Sequence, residues 1–149
     1  MTGTVGLIFL AAVLSGLALG SYGWRLTRID PEQPARLIGE LRMAQLAATL
    51  LAVTGGAWIG LAVTAATDPL ANVDVTLNVA TIVVAVVALR AEPRQALLLL
   101  AAGFVVHALI DIAHRPGGLS TAIAPRRFIV GCAAYDVYVA AICFWTRRR

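Results

Sequence analysis

The chain alternates long apolar runs with short charged stretches, and the runs predict its elements. No formal charge occurs from Met1 to Trp24, which predicts a first membrane-crossing helix over about 4–24. The next uncharged run, Met43 to Thr67, predicts a long second helix over about 37–66. Asp68-Pro69 should end it, because proline cannot continue a hydrogen-bonded helix. The third run, Val75 to Leu89, has only fifteen residues. A bilayer needs about 20, so this helix must reach back to about Ala71 and take Asp74 with it (71–89). A fourth span is expected over about 95–114, stopped by the Arg115-Pro116-Gly117-Gly118 turn, and a fifth over about 128–146. The expected fold class is therefore an all-α membrane protein, one bundle of about five transmembrane helices in a single domain over 1–149.

Composition agrees. The chain is 60% hydrophobic and 13% charged, with mean hydropathy +0.84, whereas soluble domains carry about 25% charged residues. The first apolar run lacks a positive n-region and is long enough to span, so it reads as an uncleaved helix. Net charge is +4, but a nucleic-acid partner is excluded. The arginines sit at the ends of apolar runs, where they set topology. With the N-terminus outside, Arg25, Arg28, Arg36, Arg42, Arg90, Arg94 and Arg147 to Arg149 are cytoplasmic, nine of the twelve. The C-terminus is then cytoplasmic, and a bacterial inner (plasma) membrane is the expected location. Cys132 and Cys143 fall on one predicted helix, about 16 Å apart along its axis, too far for a disulfide.

Small residues recur at Gly16-x-x-x-Gly20 and Gly56-x-x-x-Gly60. Such patterns allow close helix approach, and packing within one bundle explains them better than a dimer face does. Tyr22, Trp24, Tyr138 and Trp145 read as interfacial belt residues, and Arg126-Arg127 as an interfacial anchor.

The chemistry lies in the polar residues inside the spans. Measured from the predicted outer ends at 1.5 Å per residue, Asp74 and Asp111 lie about 5 Å deep and Cys132 about 6 Å. Asn78, His107 and Asp136 lie roughly 10–12 Å deep. Three helices thus place polar side chains at matching levels of one membrane half. Each set shares a face: Asp74/Asn78; His107/Asp111/His114; and Cys132/Asp136 with Tyr135 beside them. A carboxylate in mid-membrane costs about 2.5–3.5 kcal/mol on insertion scales and marks function by default. Asp136 needs a proton, a cation or a strong donor. His107 is its expected partner, since a short loop makes the last two spans antiparallel neighbours.

Imidazole and carboxylate together suit Zn²⁺ or Fe²⁺. His107, Asp111 and Asp136 are the candidate catalytic and metal-ligating residues, with His114 a further ligand type. Without a metal, His107 and a carboxylate could act as a general acid/base pair. Asp74, Asn78, Cys132 and Tyr135 are candidates for substrate contact or for supporting the ligands. Bland readings stand beside these: His114 as a solvated helix-end residue, Asp74 as a helix-capping acid, Asn78 as an interhelical bond and Cys132 as a small core residue.

The motif His107-x-x-x-Asp111-x-x-His114, a proline-containing loop, then Gly131-Cys132-x-x-x-Asp136 resembles a family of small bacterial integral-membrane proteins classed as a domain of unknown function. The chain has Ile110 where that family often has Trp, and Arg115 where it has a second His. The resemblance covers about residues 100–140 and none of the first three spans. It implies that these residues form one site; it supplies no activity.

The expected function is a small intramembrane enzyme, metal-dependent in one version, acting on a lipid or other apolar molecule. In the hydrolytic version His107, Asp111 and Asp136 hold a metal that lowers the pKa of bound water. In the isomerase version His107 and Asp136 move protons. The rivals are a non-catalytic accessory or scaffolding subunit of a larger membrane complex (or of a homo-oligomer) and a metal-ion binder.

Overall fold

The computed structural model describes residues 2–65, 68 and 70–148, without the side chains of residues 2–6, 8 and 9. It is all α-helix: α1 (Thr2–Leu26), α2 (Pro34–Thr64), α3 (Ala71–Ala88), α4 (Pro93–Ala113) and α5 (Arg126–Arg148). The helix ends lie within three residues of those the charge pattern predicts. The expected end of the second span at Ala66 and the stop at Pro69 fall outside the described residues. Pro34 and Pro93 occupy the first turns of α2 and α4. There the missing N–H is no loss and the fixed φ suits a helix start.

Among the described residues, α2, α3, α4 and α5 are each long and apolar enough to cross a membrane. They mark a multi-pass membrane protein. Helix α2 touches all four others, whereas α3 meets neither α1 nor α5. The α4–α5 interface is the most extensive. Helices α2 and α4 therefore both bridge α3 to α5.

Glycine governs two close approaches. A Cβ at Gly20 would collide with the Tyr138 hydroxyl, and one at Gly16 would lie 3.3 Å from both Tyr135 and Tyr138. The first small-residue pattern is thus an internal α1–α5 contact. The second is not, because a Cβ at Gly56 or Gly60 would meet nothing within 4 Å. Those glycines face outward; Gly55 beside them makes the contact, 3.1 Å from the Asn78 backbone oxygen. Tyr138 also departs from expectation. It sits in the middle of α5 against α1, not at an interface.

A plug of buried apolar side chains, including Met43, Leu51, Leu97, Leu100, Phe104 and Val139, divides the bundle into two polar layers. One contains His107 and His114. The other lies at the opposite end, around Arg36. That second layer is built mainly from α2. Arg36 is 1% exposed and donates from Nε to Glu40 at 2.7 Å, from Nη2 to the Thr146 carbonyl at 2.6 Å, and from Nη1 to the Leu26 carbonyl. It thereby ties together the C-terminal ends of α1 and α5. Arg94 completes the layer with a 3.2 Å pair to Glu40.

Candidate functional site

His107, Asp111 and Asp136 are brought together. All three are 0% exposed, and one ligand atom from each lies within 4.8 Å of the others. They form a buried group that could bind a metal ion. Helical spacing explains the pairing on α4, since His107 and Asp111 are one turn apart, with Nδ1 3.9 Å from Oδ1. Asp136 arrives from α5, its Oδ2 2.7 Å from His107 Nδ1.

Hydrogen-bond accounting sets the state of the imidazole. Asn78 Nδ2 donates to the Asp74 carbonyl at 2.9 Å. The Asn78 Oδ1 is therefore the atom that faces His107 Nε2, at 3.0 Å, and as an acceptor it requires Nε2 to carry hydrogen. In neutral His107, Nδ1 is then a lone pair aimed at a carboxylate. A cation must sit there, either a proton on the His107/Asp136 pair or a metal ion. Metal-bound histidines characteristically donate their other N–H to an acceptor in this way, and Asn78 occupies the position of such an acceptor.

The carboxylates are under-satisfied. Neither oxygen of Asp111 has a hydrogen-bond partner, and neither does Asp136 Oδ1. Unpaired carboxylate oxygens away from water are costly. A cation coordinated at this point would offset that cost directly.

A second pair lies one turn away. His114, expected to be solvated, is only 6% exposed. Its Nε2 lies 3.0 Å from Asp74 Oδ1, in ion-pair contact but off hydrogen-bond geometry. Its Nδ1 donates to the Ile110 carbonyl at 2.9 Å, so Nε2 and Asp74 also share a proton or another cation. Asp74 stands in the first turn of α3, yet its side chain caps nothing; the helix starts without a side-chain cap. The expected solvation fails because the loop from Arg115 to Pro125 folds back over this end. Ser120 is buried and donates to Asp68, while Ile123 and Ala124 pack with Trp58.

Trp58 of α2 is the residue the sequence reading missed. It is 2% exposed, stacks on His114 at 4.8 Å and 24°, and meets His107 edge-on at 6.4 Å. A tryptophan inside an apolar run carries no polar signal that would single it out.

Beyond Trp58 lies a groove of about 690 Å³ between α1, α2 and α5. Cys132, half-buried, stands in its wall, within electrostatic reach of Asp111 and Asp136. Tyr135 also lines it and pairs with Ser15 at 3.1 Å.

Comparison of the chain with family models, curated proteins and solved structures finds no match.

Proposed function

We propose that the protein is a small intramembrane metal-dependent enzyme. Its divalent ion is held by His107, Asp111 and Asp136, and its substrate, a lipid or other apolar molecule, enters from the bilayer through the α1/α2/α5 groove. The observation that carries this reading is Asp111. Both of its oxygens are buried without a donor, beside a histidine whose Nδ1 lies 3.9 Å from Asp111 Oδ1 and 2.7 Å from Asp136 Oδ2. Zn²⁺ and Fe²⁺ suit this donor set, and either would supply Lewis-acid activation for hydrolysis. Asn78 orients the imidazole. The His107/Asp136 pair, at 2.7 Å, can hold and return a proton, which also serves an isomerisation. Trp58 and Cys132 separate the ligands from the groove, so rotation of these side chains would admit the substrate's reacting atoms. The arginine distribution supports a bacterial inner-membrane orientation with the N-terminus outside and this site in the outer half.

Metal analysis of protein purified in mild detergent tests the proposal. Stoichiometric Zn or Fe is expected, lost in Asp111→Asn and in Asp136→Ala. A folded protein that takes up neither ion at micromolar concentrations overturns it. One observation favours a second reading, a static clamp in an accessory or scaffolding subunit: His107, Asp111 and Asp136 are fully enclosed. That reading predicts a metal-free protein that co-purifies with one larger membrane partner.

A further inference from the structure

The groove is more selective than its apolar walls suggest, and this inference deepens the proposed function, on which it rests, by naming the substrate class. Three features define it. Among the described residues, no charged side chain lines the groove. Its volume, about 690 Å³, falls within the range of small-molecule sites, about 300–1,000 Å³. Its hydroxyls lie far from either surface: Ser15 and Tyr135 stand roughly 14–20 Å from the ends of α1 and α5 at 1.5 Å per residue.

Three of the groove's four hydroxyls have committed protons, and the fourth, that of Tyr138, lies against Gly20, which does not line the groove. Ser15 donates to the Ala12 carbonyl at 3.0 Å. Its single proton is then used, so in the 3.1 Å Ser15–Tyr135 contact the tyrosine is the donor. Thr54 donates to the Leu50 carbonyl at 2.9 Å. What Ser15, Tyr135 and Thr54 present to the groove is lone pairs. A carboxylate or phosphate there would be desolvated with no cation and would face acceptors. A phospholipid would also have to draw its headgroup to mid-membrane. An uncharged molecule with its own O–H suffers neither penalty.

We infer that the groove binds a neutral apolar molecule bearing a hydroxyl group, for which a long-chain alcohol serves as the binding probe, and whose O–H donates to Tyr135 Oη beside the Cys132/Trp58 wall. Tyr135 is a binding residue in this scheme, and Ser15 sets its polarity by taking its proton.

Trp58 lines the groove and reports on it. In a Trp24→Phe/Trp145→Phe background, in phosphatidylcholine nanodiscs, a dibrominated octadecanol should quench Trp58 saturably. The matching dibrominated octadecanoate at pH 8 should not. Tyr135→Phe should weaken the alcohol about three- to tenfold, the net loss of one hydrogen bond. Ser15→Ala frees the tyrosine proton and should shift preference toward the methyl ester. Equal quenching by the carboxylate, or no quenching beyond that of brominated phosphatidylcholine, overturns the inference, as does indifference of a folded Tyr135→Phe variant. The same titration on Asp111→Asn separates the two proposals. Failure of the metal reading leaves quenching intact, and failure of this one leaves the metal content intact.

Discussion

Asn78 Oδ1 accepts from His107 Nε2 at 3.0 Å, and this one bond decides which imidazole nitrogen faces Asp136. Helix α3 does not touch α5, yet through Asn78 it sets the chemistry of a pair made by α4 and α5. Asn78→Leu should leave the three ligands in place while freeing the ring to change tautomer. The expected result is Zn²⁺ affinity weaker by about 10–100-fold, the usual effect of losing an orienting partner. Competition with a chromophoric chelator measures it, and unchanged affinity would show that Asn78 is only an interhelical strut.

Asp111 and Asp136 should respond oppositely when neutralised in metal-stripped protein. Asp136 is bonded to His107, so Asp136→Ala breaks a buried pair and should destabilise the apo form by about 3–5 kcal/mol. Asp111 has no hydrogen-bond partner. Asp111→Asn should therefore stabilise the apo form, by about 1–3 kcal/mol, through removal of an unsatisfied buried charge. Unfolding by SDS titration reports both. If Asp111→Asn proved as destabilising as Asp136→Ala, Asp111 would be a structural partner and not a ligand held ready for a cation.

How much of this was legible in the chain depends on which physics set each feature. Helix ends were readable because charge and proline are costly inside a spanning helix, and Pro34 and Pro93 open their helices. The meeting of His107 with Asp136 was readable from equal depth on two helices joined by a short loop. His114 was not, because its burial depends on the 115–125 loop folding back, a tertiary event with no local signature. The burial of Arg36 was not readable either. Arginines near helix ends normally mark the cytoplasmic face, and nothing in the pattern says that one of them turns inward to Glu40 and two helix carbonyls. Trp58 hid among apolar neighbours.

Arg36 yields a stability prediction independent of the site. Arg36→Met leaves buried Glu40 with Arg94 alone and strands two carbonyls, and should cost about 3–5 kcal/mol. Arg36→Lys should recover little, since one ammonium cannot reproduce a planar fork that meets three acceptors. Arg36→Met/Glu40→Leu should regain much of the loss, because a buried pair replaced by apolar side chains is often neutral or better. SDS unfolding of the four proteins checks the order, and a double variant weaker than Arg36→Met would contradict it.

The loop over His114 is held at one identifiable point. Ser120 Oγ donates to Asp68 Oδ2, and the Leu70 amide donates to Asp68 Oδ1 at 2.9 Å. The Ser120 bond first, then the Leu70 amide, hold the Asp68 carboxyl below the usual carboxylate range. The sign follows from that lowering. A carboxylate whose folded pKa is depressed contributes fully above its unfolded value, about 3.9, and loses the contribution as pH falls through the lower folded one. The latch should therefore be indifferent to pH between about 5 and 8 and open only in acid. Hydrogen exchange of the 115–125 amides, corrected for intrinsic rates, should be flat across the neutral range and rise in acid. Ser120→Ala should raise it several-fold at every neutral pH. Since this loop packs on Trp58 beside His114, the same variant should also speed chelator-driven loss of an ion bound at His107, with equilibrium metal content unchanged. Faster exchange in the loop with unaltered ion release would mean that the His107 centre is reached from the groove side instead, past Cys132.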